Sequence, residues 1–246
     1  MFTASPLLAK HGVQALFSDR DGGVSSSPFD SLNLGLGLGD SAANIEKNLN
    51  ILISASAIPV PHQTQQVHTT KVFHCSGKGQ MHEIEADVLI SNQIGTSLAV
   101  RTADCLPILI ADSKAGIVAA VHAGWRGSVA RVAEVAVKAM LDLGARRQDM
   151  MASLGPCIGD CCFEINTDIA MQLAQSCGED VITQREGVIY ANLAKTNELQ
   201  LIQAGLAAGN IETLGICTVC CHSPSYFSYR RDHGQTGRQL SIIHLA

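Results

Sequence analysis

The residues best suited to chemistry are one cysteine and two histidines beside apolar stretches. Cys105 comes between Asp104 and the run LPILIAD, and His122 ends the next run, just before AGWRG. His68 lies earlier, in QQVHTTKV. Two histidines and a cysteine form a competent zinc-ligand set, and three protein ligands leave a fourth position open, as in catalytic zinc sites. A zinc ion there would activate water at neutral pH.

The same side chains also fit a nucleophilic site. Cys105 could attack as a thiolate with His122 as its base, and Asp104 would then orient a histidine. A cysteine among apolar residues is more often an inert core residue, and an isolated histidine is more often structural. The glycines around His122 favour a functional role, because small residues let a ligand approach closely. The spacing of these residues alone does not distinguish a zinc site, a nucleophilic site and inert structural residues.

Two other cysteine groups lie in GPCIGDCCFE and CTVCCHS. A structural zinc site needs four ligands, which the two groups could supply together if the fold brings them into contact. The expectation is nevertheless that they are ordinary reduced thiols on loops, or small packing residues. Their members are Cys157, Cys161, Cys162, Cys217, Cys220 and Cys221.

Five arginines lie in turns rich in glycine or aspartate: Arg20, Arg126, Arg230, Arg231 and Arg238. Arginines in such turns are most often solvated, but their guanidinium forks also suit bidentate binding of phosphate or carboxylate. The chain has neither a Walker A motif nor GxGxxG, and GLGLGD lacks the strand–helix context of a nucleotide loop. Binding of a phosphate-bearing small molecule would therefore depend on the arginines.

Composition restricts the class of protein. The 246 residues are 46% apolar and 16% charged, with a net charge of −5. This excludes intrinsic disorder, fits one domain over 1–246, and argues against a nucleic-acid partner. No targeting segment and no membrane-spanning stretch is recognised. The nine cysteines are typical of reduced thiols, so we expect a cytoplasmic protein with no membrane partner.

Hydrophobic patterning predicts interleaved helices and strands. Apolar runs without alternation indicate strands covered on both faces, and the turn between 106–112 and 116–124 indicates an antiparallel hairpin. Further strands are expected at 67–73, 96–104, 150–155, 211–217 and 238–246. Helices are expected at 43–57, 128–144 (with Ser128 as N-cap), 164–178 and 192–210. This order predicts an α+β protein, a single-domain layered mixed α/β sandwich.

Five motifs, in the same order along nearly the whole chain, resemble those of the YfiH or laccase-domain family. Its members are also called peptidoglycan editing factors, purine nucleoside phosphorylases or polyphenol oxidases. The motifs are FSDRDGGVS with SLNLG, QQVH, TADCLPILI followed by VHAGWRG, GPCIGDCCFEI, and CTVCCHSPSYFSYRRDHGQTGRQ. The chain departs from the family at Thr69, where glycine is common, and at Leu49, where arginine is common. Cys220 and Cys221 are not part of the pattern.

The resemblance implies a fold of the YfiH-like cysteine-hydrolase type and a metal site, usually zinc, on His68, Cys105 and His122. It implies phosphorolysis of adenosine, inosine, guanosine and methylthioadenosine, and deamination of adenosine, for which Asp104 would shuttle protons. We expect a monomer whose partners are a purine nucleoside and phosphate. The expected substrate-binding residues are Arg20, Asn33, Arg126, Arg230 and Arg238.

Two other activities use the same residues. A cysteine amidohydrolase that edits a peptidoglycan precursor would use Cys105 and His122 as its dyad. A copper-dependent polyphenol oxidase could bind copper at the two histidines and the cysteine. A multicopper oxidase, however, needs roughly ten histidines with several His-x-His pairs, whereas this chain has nine histidines and no such pair. Zinc is therefore expected ahead of copper, and a binding module without activity would leave the His/Cys set unexplained.

Overall fold

The computed structural model of the protein describes residues 1–223 and 225–246. Its strands are β1 (Phe2–Ala4), β2 (Val13–Ser18), β3 (Gln63–Gln65), β4 (Val72–His74), β5 (Met81–Glu85), β6 (Val88–Ser91), β7 (Ser97–Thr102), β8 (Leu106–Asp112), β9 (Ile117–Ala123), β10 (Met151–Leu154), β11 (Glu164–Ile165), β12 (Ile182–Arg185), β13 (Val188–Ala191), β14 (Ile211–Thr213) and β15 (Gln239–Leu245). Its helices are α1 (Pro6–Ala9), α2 (Ala42–Ser56), α3 (Trp125–Val129), α4 (Val132–Asp142), α5 (Thr167–Cys177) and α6 (Leu193–Gln203).

Two sheets form the middle of the molecule. One has the order β1-β2-β15-β7, and the other has the order β14-β10-β8-β9-β6-β4. The two sheets face each other across an apolar layer that includes Phe17, Leu98, Leu109, Ala120 and Ile243. Two small sheets, β11-β13-β12 and β3-β5, complete the strands.

Helices cover the outer faces of both sheets. Leu52 of α2 packs in one apolar cluster with Leu16 and Ile242 of the four-stranded sheet. Helices α4, α5 and α6 pack on the six-stranded sheet, where Val137 and Leu201 share a cluster with strand residues. The predicted layered mixed α/β sandwich is thereby confirmed.

The hairpin predicted at the centre of the sequence is also confirmed. Strands β8 and β9 pair antiparallel, from Asp112 opposite Ile117 to Leu106 opposite Ala123, with Pro107 opposite His122. Along β8, Ile108 and Ile110 face the helices while Leu109 faces the other sheet. Because both faces are covered, the sequence shows an unbroken apolar run rather than an alternation.

The strand expected at 211–217 ends at Thr213, and the helix expected at 164–178 begins at Thr167, after the short strand β11. Three further predicted elements differ from the structure. The helix expected at 128–144 begins earlier, with Gly124 as its N-cap, and is interrupted where Arg131 takes a φ of 60°. Ser128 is therefore not an N-cap, and its hydroxyl accepts a hydrogen bond from Asn197 instead. The helix expected at 192–210 ends at Gln203, because the chain turns at Gly205 with a φ of 101°.

The third difference concerns the strand predicted at 67–73. Only β4 forms there, and the preceding 66–71 is a loop. His68 consequently lies on a loop rather than at the edge of a strand. Within residues 1–223 and 225–246, no helix combines the length and apolar character needed to cross a membrane.

Candidate metal centre

The structure brings His68, Cys105 and His122 together as the sequence indicated. Their ligand atoms all lie within 4.8 Å of one another, and the Cys105 Sγ lies 3.8 Å from the His68 Nε2. A tetrahedral zinc ion, about 2.3 Å from sulfur and about 2.05 Å from nitrogen, holds such atoms about 3.6 Å apart. The geometry and the donor types therefore fit a zinc ion with three protein ligands.

The central hairpin places two of these ligands. Cys105 directly precedes β8 and His122 lies in β9 opposite Pro107, so the antiparallel register brings residues 17 positions apart side by side. His122 is only 4% exposed, whereas Cys105 is partly exposed and His68 is exposed. His122 is therefore the ligand held in the protein interior, and the centre is accessible to solvent beside His68.

Asp87 is the residue that sequence reasoning missed. It immediately precedes β6, which pairs with β9, and its fully buried carboxylate lies 2.7 Å from the His122 Nδ1. A carboxylate on Nδ1 fixes the ring orientation and leaves Nε2 as the ligand atom. The sequence signal for Asp87 was an aspartate directly before the apolar stretch VLIS, similar to Asp104, which precedes LPILI by one residue.

Asp87 also positions the third ligand. Its two carboxylate oxygens accept the backbone N–H groups of Val67, His68 and Thr69, at 2.8–3.1 Å. His68 has a φ of 61°, a left-handed conformation that is costly for a residue other than glycine. The buried carboxylate thus accepts five hydrogen bonds, one from His122, three from backbone N–H groups and one from the Thr69 hydroxyl, and these orient His122 and hold the strained loop that presents His68.

Gly124 makes the close approach of the ligands feasible. A Cβ at this position would lie 2.7 Å from the His68 Cδ2 and 3.0 Å from the Cys105 Sγ. The glycine after the second histidine is therefore required by the site itself, as the small residues around His122 indicated.

A Gly124→Ala substitution is expected to disrupt the centre while leaving the fold intact. The added methyl group must displace His68, because that side chain lies on a loop while Cys105 is fixed by the hairpin. We expect about 10–100-fold weaker metal binding, the range seen when ligand orientation is disturbed. Metal competition titration measures this, and Gly127→Ala, whose Cβ would meet its nearest neighbour at 3.4 Å, is the control. Unchanged affinity in the Gly124 variant would contradict the described packing.

The ionisation of the centre is coupled between thiol and imidazole. Burial raises the pKa of the Cys105 thiol, but His122, followed by His68, outweighs burial and lowers this pKa to about 6. Burial likewise lowers the pKa of His122, while the Cys105 thiolate and Asp87 raise it to about 9. Each group therefore stabilises the charged form of the other, which favours a thiolate beside an imidazolium when no metal ion is bound.

Asp104 does not contact either histidine. Its carboxylate accepts hydrogen bonds from Thr218 Oγ1 at 2.6 Å, Ser228 Oγ at 3.1 Å and the Arg230 backbone N–H at 2.6 Å. The expected histidine-orienting role therefore belongs to Asp87. Asp104 instead ties the C-terminal segment to the residue next to Cys105.

A cavity of about 740 Å³ opens at the centre. Its wall includes all three candidate ligands together with the aromatic residues Trp125 and Phe163. This volume suits a small-molecule ligand, since such pockets typically measure 300–1,000 Å³. Arg101, which sequence reasoning did not select, also lines the cavity; it is the only charged residue in the apolar strand β7.

Three of the four arginines expected to bind substrate line this cavity, namely Arg126, Arg230 and Arg238. The guanidinium of Arg230 donates to the Glu164 carbonyl, and that of Arg238 donates to the carbonyls of Thr236 and Gly237. Among the described residues, the Arg126 side chain has no hydrogen-bond partner, and its guanidinium lies 4.4 Å from the Trp125 ring centre.

The other two expected substrate-binding residues lie outside the cavity lining. Arg20 pairs with Asp30, through both its carbonyl and its carboxylate. Asn33 is fully buried, and its side-chain oxygen accepts the backbone N–H groups of Gly35 and Arg238. Asn33 therefore supports two residues of the cavity wall, and the Arg20 guanidinium forms an ion pair with Asp30 outside the lining.

Comparison with known proteins agrees with this architecture. Residues 14–246 match the family model described as multi-copper polyphenol oxidoreductase laccase. The chain is 37% identical to a purine nucleoside phosphorylase of Deinococcus radiodurans, covering 95% of this chain and 89% of the relative. It is 36% identical to the purine nucleoside phosphorylase YfiH of Escherichia coli, covering 95% and 94%.

A solved structure extends the similarity to three dimensions. The crystal structure of YlmD from Geobacillus stearothermophilus superimposes with a TM-score of 0.87 at 29% identity, covering 98% of this chain and 93% of YlmD. Sequence and fold lead to the same conclusion: the chain belongs to the laccase-domain family that includes YfiH and YlmD.

Proposed function

We propose that this protein is a zinc-dependent purine nucleoside phosphorylase. The observation that carries the proposal is the His68–Cys105–His122 centre in the wall of a cavity that also presents three arginines. The relatives named purine nucleoside phosphorylase support the same reaction class. The proposed substrates are adenosine, inosine, guanosine and methylthioadenosine.

In this reaction, a phosphate oxygen attacks C1′ of the ribose and the C1′–N9 bond breaks. The bond electrons pass to the purine, which takes up the proton that the phosphate releases. When bound, zinc supplies Lewis-acid chemistry at the position that the three protein ligands leave open. Asp87 keeps His122 in one orientation, so the ligand set is preorganised before the substrate arrives.

Arg126 is the proposed phosphate-binding residue. Its fork of N–H donors has no partner among the described residues, in contrast to those of Arg230 and Arg238. A planar guanidinium binds phosphate oxygens in pairs, which orients the nucleophile as well as attracting it. The faces of Phe163 and Tyr229, both in the cavity wall, provide surfaces on which a purine can stack.

An Arg126→Ala variant is expected to raise the KM for phosphate about 10–100-fold, the loss of roughly 1.5–3 kcal/mol that a charged hydrogen bond contributes. The KM for the nucleoside should change much less, because the proposed contact is to phosphate alone. Initial rates with each substrate varied in turn give both constants. Arg20→Ala, which removes an arginine outside the cavity, is the matched control. An equal rise in both KM values would exclude a phosphate-specific role for Arg126.

Metal binding is expected to release one proton at about pH 7.5. At that pH the Cys105 thiol, with a pKa of about 6, is already a thiolate, whereas His122, with a pKa of about 9, is protonated. The imidazole must lose its proton to become a ligand. Apparent affinity should therefore rise about tenfold per pH unit between pH ~6.5 and ~8.5. Calorimetry in buffers of different ionisation enthalpy counts the proton, and a count of zero would contradict the pairing of Cys105 with His122.

The direct test of the proposed reaction is product release. Purified zinc-loaded protein incubated with inosine and phosphate should yield hypoxanthine and ribose 1-phosphate in equal amounts. Release that does not depend on phosphate would indicate hydrolysis instead, and no release would overturn the proposal. Conversion of adenosine to inosine in the same assay tests the deamination that the resemblance implies.

A second candidate is a cysteine amidohydrolase acting on a peptidoglycan precursor. The observation that favours it is that the Cys105 Sγ lies within 4.8 Å of the His122 imidazole, which lowers the pKa of the thiol and so favours the activated form of a cysteine nucleophile. A thiolate bound to zinc resists alkylation, whereas a free nucleophilic thiolate reacts. A covalent adduct on Cys105 in zinc-loaded protein would therefore support the amidohydrolase. Peptide mapping after iodoacetamide treatment therefore separates the two candidates.

Copper oxidase chemistry is less well supported. Among the described residues, three clusters of His, Cys, Asp or Glu could hold a metal, and none contains more than two histidines. A multicopper oxidase relies on a much larger set of histidines. If protein purified without added copper contained stoichiometric copper, copper oxidase chemistry would be favoured over zinc chemistry.

A further inference from the structure

Four cysteines lie together on the surface, away from the ligand set already described: Cys161, Cys162, Cys217 and Cys220. Their sulfur atoms, called here the four-cysteine cluster, are all within 4.8 Å of one another. The Sγ atoms of Cys161 and Cys220 are 3.6 Å apart. Four sulfurs bound at about 2.3 Å to a tetrahedral zinc ion are separated by about 3.8 Å. The cluster is therefore already close to the size of a filled site.

Two backbone segments form the cluster, and they are joined to each other. Cys157 and Cys217 form a parallel bridge, with the Thr218 N–H donating to the Cys157 carbonyl at 2.9 Å. Cys217 and Cys220 supply a CxxC pair from one segment, and Cys161 and Cys162 supply a neighbouring pair from the other. Four-thiolate zinc sites are usually built from two cysteine pairs on two adjoining turns; one pair here has the usual CxxC spacing, and the other is a directly adjacent Cys-Cys pair.

The environment of Cys217 resembles that of a metal-bound thiolate. The Gly159 N–H donates to its Sγ at 3.2 Å. Amide donors to a ligand sulfur are the kind of outer contact that orients and stabilises metal ligands.

Gly159 is required by this arrangement. A Cβ at this position would lie 3.0 Å from the Cys161 Sγ and 3.2 Å from the Cys217 Cβ. The backbone of one segment therefore approaches the sulfurs of the other more closely than a residue with a side chain allows.

We propose that Cys161, Cys162, Cys217 and Cys220 together bind one structural zinc ion as thiolates. A closed set of four sulfur ligands leaves no position for water or substrate, so this site is structural rather than catalytic. Soft thiolates in a tetrahedral set select zinc among the common divalent ions that lack redox chemistry. The proposal takes up the alternative that the sequence left open, in which the two cysteine groups combine, in place of ordinary reduced thiols.

Nearby arginines offset the charge of such a site. A zinc ion with four thiolates carries a net charge of −2. Arg185 donates to the Asp160 carbonyl, Arg230 to the Cys162 carbonyl and Arg231 to the Val219 carbonyl. Guanidinium groups are thus held against the backbone of both cysteine segments, where they stabilise a negative centre.

The zinc ion would fix one wall of the active-site cavity. Ile158 and Phe163, on either side of the first cysteine pair, line that cavity, as does Arg230. On the other segment, Thr218 donates to the carboxylate of Asp104, next to Cys105. Clamping the two segments together therefore positions the cavity wall without contact between the zinc ion and substrate.

Metal content tests the proposal independently of activity. In a Cys105→Ala background, which removes a ligand of the other centre, tightly bound zinc belongs to the four-cysteine cluster if a change within that cluster removes it, since the third group of possible ligands, His62, Cys75 and His82, would keep its ion. We expect one zinc ion per chain in this background and none after Cys161→Ser or Cys220→Ser is added. Both of these cysteines are exposed, so their replacement costs little packing. Cys221→Ser, in the same turn but outside the cluster, is the control and should retain the ion.

Cobalt substitution gives a second readout that depends on the number of thiolates. Cobalt-loaded Cys105→Ala protein should show the strong sulfur-to-cobalt charge-transfer absorption of a four-thiolate site, and Cys161→Ser should abolish it. Equal zinc content with and without the Cys161→Ser change would overturn the proposal. So would a Cys161–Cys220 disulfide, detected by mass spectrometry, in protein isolated under reducing conditions.

Discussion

Cys105→Ala protein is expected to lose the metal of the catalytic centre and about 10³-fold of its kcat/KM for phosphorolysis, equivalent to roughly 4 kcal/mol of transition-state stabilisation. Cys105 supplies the sulfur that lies 3.8 Å from His68 Nε2. With only two imidazoles left, the site keeps too few ligands for tight zinc binding. Steady-state rates and elemental analysis on the same preparation measure both effects.

Cys177→Ala is the matched control for this substitution. Cys177 is half-buried, and its thiol donates to the Thr196 carbonyl rather than to the cavity. We expect metal content and kcat/KM close to those of the unaltered protein. A Cys105→Ala protein that keeps both would show that Cys105 is neither ligand nor nucleophile.

Replacing Asp87 by asparagine should lower metal affinity and activity by about 10–100-fold, although Asp87 touches neither metal nor substrate. An amide has a single acceptor oxygen and adds two N–H donors, so it cannot serve His122 and the loop of His68 together. Removing the carboxylate also frees the His122 ring and relaxes the φ of 61° at His68. Metal titration, together with kcat and KM, measures the loss.

Asp112→Asn separates this effect from a loss of stability. Asp112 is also buried and also accepts three backbone N–H groups, from Lys114, Ala115 and Arg146, but it lies at the opposite end of the central hairpin. Both variants should lose about 1–3 kcal/mol of unfolding free energy, because each leaves buried N–H groups poorly satisfied. Only the Asp87 variant should lose metal affinity. Equal affinities in the two variants would limit Asp87 to a structural role.

The proximity of the three candidate ligands was the part of the site that the sequence could predict. Two apolar runs joined by a tight turn indicated a hairpin, and a hairpin places its first and last residues together, which made Cys105 and His122 neighbours. The layered fold followed from the same runs, since strands without alternation must be covered on both faces. His68 was identified by its residue type and motif, although its loop was expected to be a strand.

The supporting residues could not be predicted in the same way. Asp87 and Asp104 are both acids placed before apolar strands, and which of them meets His122 depends on the pairing of β6 with β9. That pairing is a contact between elements distant in sequence, and no local pattern specifies it. The hydrogen-bond partners of Asn33 and Arg20 could not be predicted either. Asn33 accepts the backbone N–H of Arg238, and Arg20 pairs with Asp30, both through contacts that the fold creates.

Helix boundaries show a related limit. Ser128 has the residue type of an N-cap, yet α3 begins at Trp125 and Ser128 is buried against Asn197. Tertiary packing outweighs local capping preference at this position.

The central claim is that His68, Cys105 and His122 bind a metal ion beside which a purine nucleoside is held. Anomalous diffraction at the zinc edge, from crystals of zinc-loaded protein grown with inosine, tests it most directly. The account predicts a peak about 2.0–2.3 Å from the Nε2 atoms and the Cys105 Sγ, with the ribose facing that peak inside the cavity. A cavity without the peak, or inosine bound elsewhere on the protein, would contradict it.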